Sequence, residues 1–467
     1  MKLLIINIIQ HIIKNIKTYF AFRGRISMST IIFKIQELCW NPLLLAWFMG
    51  TGFYFTARSG FLQVLHPIKI FRATFGNMKN KNCKDGISPY AALSAALAAC
   101  MGTGNIIGVA SALTLGGPGA VLWMIISAVL GEMTAFAENT LGIIYREKNE
   151  KNEWTGGSIN YIEKAFGKKV SAVFCIFCIG ASLGMGNMTQ VNTIAVMLNN
   201  QTNAVPLAVG VAVAAIVGMV IIGGVNRISK VTEKIIPPLS AVVIFALIAV
   251  IIKNYHHILP NIKLIFESAF GFRSAAAGIS GYTVGKAIKL GIARGVFSNE
   301  AGLGSSPIVH SAADVDLPAR QGLWGITEVF IDTVLMCSLT ALALLTSGNA
   351  TNPALSPVEM CVNTFADILG DYAGVFVCIS LCLFAFATVT GWSYYGEKAA
   401  EYIWSEKRNQ LYRCVYLAFI VVGACIKLDT VWALSDIFNA LMAIPNLAAI
   451  WKFNKQIIPH TKKAVQL

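Results

Sequence analysis

The sequence predicts an all-α polytopic membrane protein, and three observations carry that expectation. The 467 residues are 56% hydrophobic and only 13% charged, with a mean hydropathy of +0.64, far from the composition of soluble globular domains. Eleven apolar segments each approach the roughly 20 residues that a helix needs to cross hydrocarbon. Two of these segments carry glycines and polar residues at mid-depth, at matching places in the two halves of the chain.

The eleven segments lie near 40–57, 88–113, 117–145, 168–198, 205–224, 236–253, 276–309, 320–347, 371–400, 410–427 and 432–451. They divide the chain into an amino-terminal extension over 1–39, a first span with its link over 40–87, and a five-span unit over 88–253. An extracellular link over 254–274, a second five-span unit over 275–451 and a cytoplasmic tail over 452–467 follow.

Charge orients these spans. If the link after the first span is cytoplasmic, the inside segments hold Arg58, Lys69 and Arg72, then Arg146, Lys148, Lys164, Arg227, Lys230, Lys398, Arg408, Lys452 and many more. The outside links hold Lys253, Lys263, Arg273 and Lys427. Basic residues remain on the cytoplasmic side, so the amino terminus is expected outside and the carboxyl terminus inside. The net charge of +14 is therefore read as loop charge rather than as a nucleic-acid surface. Residues 1–34 depart from the pattern, with basic residues interleaved among isoleucines in "LLIINIIQHIIKNIKTYF". They read as an interfacial helix, a further span, or sequence upstream of a start at Met28, the last being favoured.

The eleven cysteines lie mostly in apolar runs such as "FCIFCIG", where Cys175 and Cys178 read as small core residues rather than a metal motif. No Walker A sequence and no HExxH occurs, and the six histidines are scattered, so an enzyme is not expected.

The two punctuated segments are "CMGTGNIIGVAS", Cys100 to Ser111, and "ARGVFSNEAGLGSSP", Ala293 to Pro307. Glycine alone reads as close helix packing. Their placement says more: five spans separate equivalent points, so the two halves enter the membrane with opposite polarity. Interrupted helices at equivalent places in inverted halves point to the central site of a secondary transporter. A break exposes N–H groups on one half-helix and carbonyls on the other, which between them match a carboxylate, an ammonium group and Na⁺.

"GGPGAVLWMIISAVLG", Gly116 to Gly131, together with "GNMTQVNT", "RGVFSNEAGLGSSP", "ITEVFIDT" and "VTGWSYYGEKAAEY", resembles the sodium:alanine (alanine or glycine:cation) symporter family from about Trp40 to Ile450. The departures are Leu122 and Ile125, where that family has larger aromatics. The resemblance implies a LeuT-like 5+5 inverted repeat with one additional N-terminal span, eleven transmembrane helices in all. It also implies a multi-pass protein of the cell inner membrane that takes up alanine and glycine with Na⁺.

By the same resemblance, Thr103 and Gly104 offer backbone N–H groups to a substrate carboxylate, Asn105 and Gln190 complete the pocket, and Phe297 and Trp392 wall it. The carbonyls of Ala98 and Met101 with the hydroxyls of Thr388 or Thr390 are the expected sodium ligands. Glu132, Glu138, Arg294, Glu300, Glu328 and Asp332 are ionisable at membrane depth and so draw functional attention. Arg294 and Glu300 flank the second break and are expected to pair as a gate or as scaffold, the second being favoured. The nearest rival reading is a proton-coupled amino acid transporter on the same fold, with Glu300 as the titrating group. A channel or amino-acid receptor is a further alternative.

Overall fold

The computed structural model describes residues 28–76, 86–149, 152–271, 284–352, 354–405, 408–426 and 428–466. The expectations for residues 1–27, and the loop basic residues such as Lys79, Lys84, Lys151 and Arg273, lie outside the described residues.

The first helices are α1 (Met28–Cys39), α2 (Pro42–Arg58), α3 (Leu62–Leu65), α4 (Pro67–Phe75) and α5 (Pro89–Cys100). The Asn41 side chain caps α2 by accepting from Leu44 N–H, and Ser88 caps α5 by accepting from Ala91 N–H, each with proline just inside the helix. A 3₁₀ turn at Thr103–Asn105 separates α5 from α6 (Ile107–Gly116). The long α7 (Gly119–Ile144) follows, then a two-residue hairpin of β1 (Glu147–Lys148) and β2 (Trp154–Thr155), and α8 (Ser158–Phe166).

Next come α9 (Lys168–Leu183), α10 (Thr189–Thr202), α11 (Pro206–Ile221), α12 (Gly224–Lys253) and α13 (Ile258–Phe270). The second half holds α14 (Val284–Asn299), α15 (Ser306–His310), α16 (Pro318–Val329), α17 (Ser338–Thr346), α18 (Pro357–Leu369), α19 (Ala373–Trp404), α20 (Asn409–Cys425), α21 (Leu428–Lys452) and α22 (Asn454–Gln466). Two π-helical stretches, Gly184–Met188 and Phe330–Cys337, join α9 to α10 and α16 to α17. Such stretches often mark functional positions.

Among the described residues, six helical runs are long and apolar enough to cross a membrane: Gly119–Ile144, Lys168–Thr202, Gly224–Lys253, Pro318–Thr346, Pro357–Trp404 and Val431–Lys452. Shorter apolar helices lie at Pro89–Cys100, Ile107–Gly116, Pro206–Ile221 and Asn409–Cys425. Small residues set the packing between them. Gly391 lets α19 lie directly on α5, because a Cβ at that position would fall 2.9 Å from Ala99 N. The alanines of "AALSAALAAC" are buried along α5, so the broken helix is enclosed by protein as irregular backbone at membrane depth must be.

Candidate functional site

The first break follows from the loss of helical hydrogen bonds after Cys100. The last regular bond of α5 runs from Met101 N–H to Leu97 O, and Gly102 N–H turns back to Cys100 O at 2.9 Å. The carbonyl of Ala98 therefore loses its usual donor four residues on. Thr103 then donates twice to Gln190 Oε1, from its backbone N–H at 3.3 Å and from its hydroxyl at 3.1 Å. Gln190 reaches this point from α10, just after the π stretch, and its amide nitrogen donates to Met185 O at 3.2 Å.

Thr388 closes the same corner. A Cβ built on Gly102 would lie 2.7 Å from Thr388 Oγ1 and 3.0 Å from Gln190 Oε1, so both oxygens converge on a position that only glycine leaves open. The Thr388 hydroxyl is buried and has no hydrogen-bond partner among the described residues. Thr390 is not brought there: its hydroxyl donates to Ala387 O at 2.8 Å and Phe386 O at 3.2 Å, within its own helix.

The second break runs from Glu300 to Ser305, where positive φ angles at Glu300, Gly302 and Gly304 stop the helix. Side chains from other helices satisfy the freed backbone. Glu138 on α7 accepts from Gly302 N–H and Gly304 N–H, both at 3.0 Å, and from the Asn446 amide at 2.5 Å. Asn446 also donates to Gly302 O at 2.9 Å, and Ser158 donates to Gly304 O at 2.5 Å. Gly302 is packed against the Phe48 ring with no room for a Cβ.

The two breaks touch. Phe297 packs over Gly104, and Asn105 donates from its amide to Asp332 Oδ1 at 2.7 Å and to Ser298 Oγ at 3.2 Å. Asp332, in the second π stretch, accepts at Oδ2 from Ser298 at 2.8 Å and from Thr333 at 2.6 Å. A buried carboxylate thus ties both broken helices to a third helix, while Asn105 Oδ1 stays without a donor among the described residues. Thr103, Asn105, Gln190, Phe297 and Trp392 are all less than 5% exposed, and Gly104 is half-buried.

Trp392 is held in place by fit and by a hydrogen bond. Its indole lies on Gly186, where a side chain would clash, and its Nε1–H donates to Glu300 Oε1 at 2.9 Å. The other oxygen of Glu300 accepts from Ser305 at 2.5 Å. The expected pairing of Arg294 with Glu300 is therefore corrected. Arg294 faces the other way, 3.9 Å from Asp436 on α21, with its guanidinium over the rings of Phe297 and Trp432 at 5.5 and 5.4 Å. Two cavities of about 480 and 320 Å³ have Arg294 in their walls together with Phe33 and Gln36, one also lined by Ile107, Ser111 and Thr193, the other by Lys289 and Asp436.

Sequence reading missed Ser298 as a member of the central cluster, Glu138 as the acceptor for the second break, and Asp436 as the partner of Arg294. Each belongs to a contact between segments far apart in the chain. The one signal available was the presence of Glu138 and Asp332 as acids inside apolar runs. Asn192, two residues past Gln190, instead points to α20 and donates to Gly423 O and Ile426 O at 2.9 and 2.6 Å.

The overall fold is shared with solved structures of transporters. The chain is similar to the manganese transporter of Eremococcus coleocola, with a TM-score of 0.55 over 82% of each chain at 16% identity. It is also similar to MhsT in complex with L-phenylalanine, with a TM-score of 0.52 over 79% of this chain and 90% of that one at 16% identity. The fold is that of the LeuT-like transporters, and the protein is a multi-pass membrane transporter rather than an enzyme. Residues 25–466 match the model of the sodium:alanine symporter family, and the chain belongs to that family. The sodium/alanine symporter AgcS of Methanococcus maripaludis is 38% identical over 440 residues, 93% of this chain and 96% of that one. A probable sodium/glutamine symporter, GlnT of Bacillus subtilis, is 37% identical over 91% of this chain and 88% of its own length.

Proposed function

We propose that the protein is a secondary active transporter that takes up alanine and glycine with Na⁺ by alternating access in the cell inner membrane. The observation that carries this reading is the corner at Gly102, where Gln190 Oε1, the unpartnered Thr388 hydroxyl and the end of α5 meet. A substrate carboxylate oxygen competes with Gln190 Oε1 for the two Thr103 donors, and the amide swings aside. Gly104 supplies a neighbouring backbone N–H, and Asn105 holds the polar wall through Asp332. Phe297 beside Gly104 and Trp392 on Gly186 are the bulky walls that we take to restrict the substrate to a short side chain, alanine or glycine.

Sodium is cargo in this scheme. A hard cation takes oxygen ligands, and we assign to it the Ala98 carbonyl, which the break deprives of its usual donor, the Met101 carbonyl and the unpartnered Thr388 Oγ1. One charge moving through 100 mV supplies ~2.3 kcal/mol. That alone supports roughly fiftyfold accumulation.

The reading takes eleven spans in a five-plus-five inverted arrangement after one additional span, with units over 88–253 and 275–451, the amino terminus outside and the carboxyl terminus inside. Six long apolar helices and the shorter apolar segments of the broken and flanking helices support it. A proton-coupled mechanism is the second reading, favoured by one observation: the buried carboxylate of Asp332 bridges the two breaks.

Labelled alanine uptake into proteoliposomes separates the two. Dependence on an inward Na⁺ gradient at equal pH supports sodium coupling. Uptake driven by a proton gradient without Na⁺ selects the second reading, and failure of counterflow exchange would exclude a carrier altogether.

A further inference from the structure

A groove on the flank of the helix bundle, away from the central site, carries features of a ligand site. It encloses about 360 Å³ between α4, α7 and the helix of Ile326 and Phe330. Most of its wall is apolar, formed by Pro67, Ile68, Ile70, Phe71, Ile326 and Phe330. Two polar side chains in the wall are buried and lack donors. Glu132 is 3% exposed and meets no hydrogen-bond donor and no charged neighbour among the described residues. Gln63 is 6% exposed; its amide nitrogen donates to Thr56 Oγ1 at 2.8 Å and Val129 O at 3.2 Å, which leaves Oε1 without a partner. The exposed Arg72 forms part of the margin.

Neither Glu132 nor Gln63 belongs to the transport site described above. A largely buried carboxylate without a partner is unfavourable, so a ligand that brings a donor to Glu132 is selected. The Glu132 carboxylate in the wall calls for a cationic N–H donor, which a primary ammonium is. Arg72 calls for an anion on the same molecule, and a phosphate suits a guanidinium. Ile68, Phe71 and Phe330 stand 68%, 62% and 45% exposed beside these groups, as a surface for hydrocarbon chains. A primary ammonium, a phosphate and acyl chains in one molecule define an aminophospholipid.

We propose that this groove binds phosphatidylethanolamine, its ammonium donating to Glu132, its phosphate on Arg72, and its chains along Ile68, Phe71 and Phe330. Phosphatidylcholine carries the same phosphate and chains, but its trimethylammonium group has no N–H to donate. Phosphatidylglycerol offers Arg72 a phosphate and brings no cation to Glu132. The site therefore discriminates among lipids by head-group donors rather than by charge alone.

Native mass spectrometry tests this on the full chain, stripped of lipid and reloaded in bilayers of equal phosphatidylethanolamine and phosphatidylcholine. The wild type retains phosphatidylethanolamine over phosphatidylcholine by about tenfold. Glu132→Gln brings the retained ratio close to that of the bilayer, whereas Arg72→Ala, an exposed change compatible with folding, lowers retention of both lipids and keeps the preference. Retention by the wild type at the bilayer ratio overturns the proposal, as does retention of neither lipid. So does a Glu132→Gln protein that keeps the wild-type preference.

Discussion

A threonine hydroxyl inside an apolar helix ordinarily donates to a carbonyl one turn back, and Thr390 does so. Thr388, two residues earlier on α19, does not, and its oxygen faces the corner where α5 ends. The two residues therefore predict different outcomes. Thr388→Val keeps the shape, removes the oxygen and raises the Na⁺ concentration for half-maximal uptake about tenfold, the equivalent of roughly 1.4 kcal/mol. Thr390→Val changes that concentration by less than about twofold; equal effects of the two substitutions on the sodium dependence of uptake would remove the ion assignment. At this scale the polar residues at the first break were legible in the sequence, but not all of their contacts. Thr103 and Gln190 are visible as polar residues in apolar runs. That Asn105 would be held by Asp332 is a contact across 227 positions, which no local pattern encodes.

At the scale of elements, the second break depends on other helices for its hydrogen bonds. Gly302 and Gly304 donate to opposite oxygens of Glu138, which also accepts from Asn446, so α7 and α21 hold the unwound loop between α14 and α15. Glu138→Gln turns one accepting oxygen into a donor and leaves a buried N–H unpaired, at a cost of about 1–3 kcal/mol. The thermal midpoint of the purified protein falls, and alanine affinity weakens with it. Gly302→Ala meets the Phe48 ring at a φ of +92°, and its cost of roughly 1–3 kcal/mol appears as lost folded yield. The position of both breaks was legible, because "GTGN" and "SNEAGLGSS" combine helix-breaking and polar residues at membrane depth. The π stretches were not legible: "GMGNM" reads as continuous helix, and its close contact with the Trp392 indole at Gly186 comes from a segment far along the chain. Likewise Arg294 and Glu300 lie six residues apart and suggested a pair, whereas the end of α14 directs one to Asp436 and the other to Trp392.

Across the whole molecule, orientation rests on the distribution of Lys and Arg, a statistical preference of insertion rather than a contact in the folded chain. It gives a direct expectation for labelling in a background with the exposed Cys414 and Cys425 replaced by serine. A cysteine in place of Lys263, whose side chain is 78% exposed, reacts with an impermeant maleimide in intact cells. One in place of Lys164, 55% exposed at the opposite end, reacts only after permeabilisation. The reverse pattern would invert the proposed topology. The alternating-access proposal needs a path to open to the junction of the two breaks, where every expected substrate residue except the half-buried Gly104 is shut from solvent. The measurement that tests this most directly is uptake of labelled alanine into proteoliposomes under an imposed Na⁺ gradient, comparing the wild type with Asn105→Ala and Gln190→Ala. Sodium-dependent accumulation that falls at least about tenfold in both variants is the predicted result. Uptake unchanged by either substitution, or independent of sodium, would contradict it.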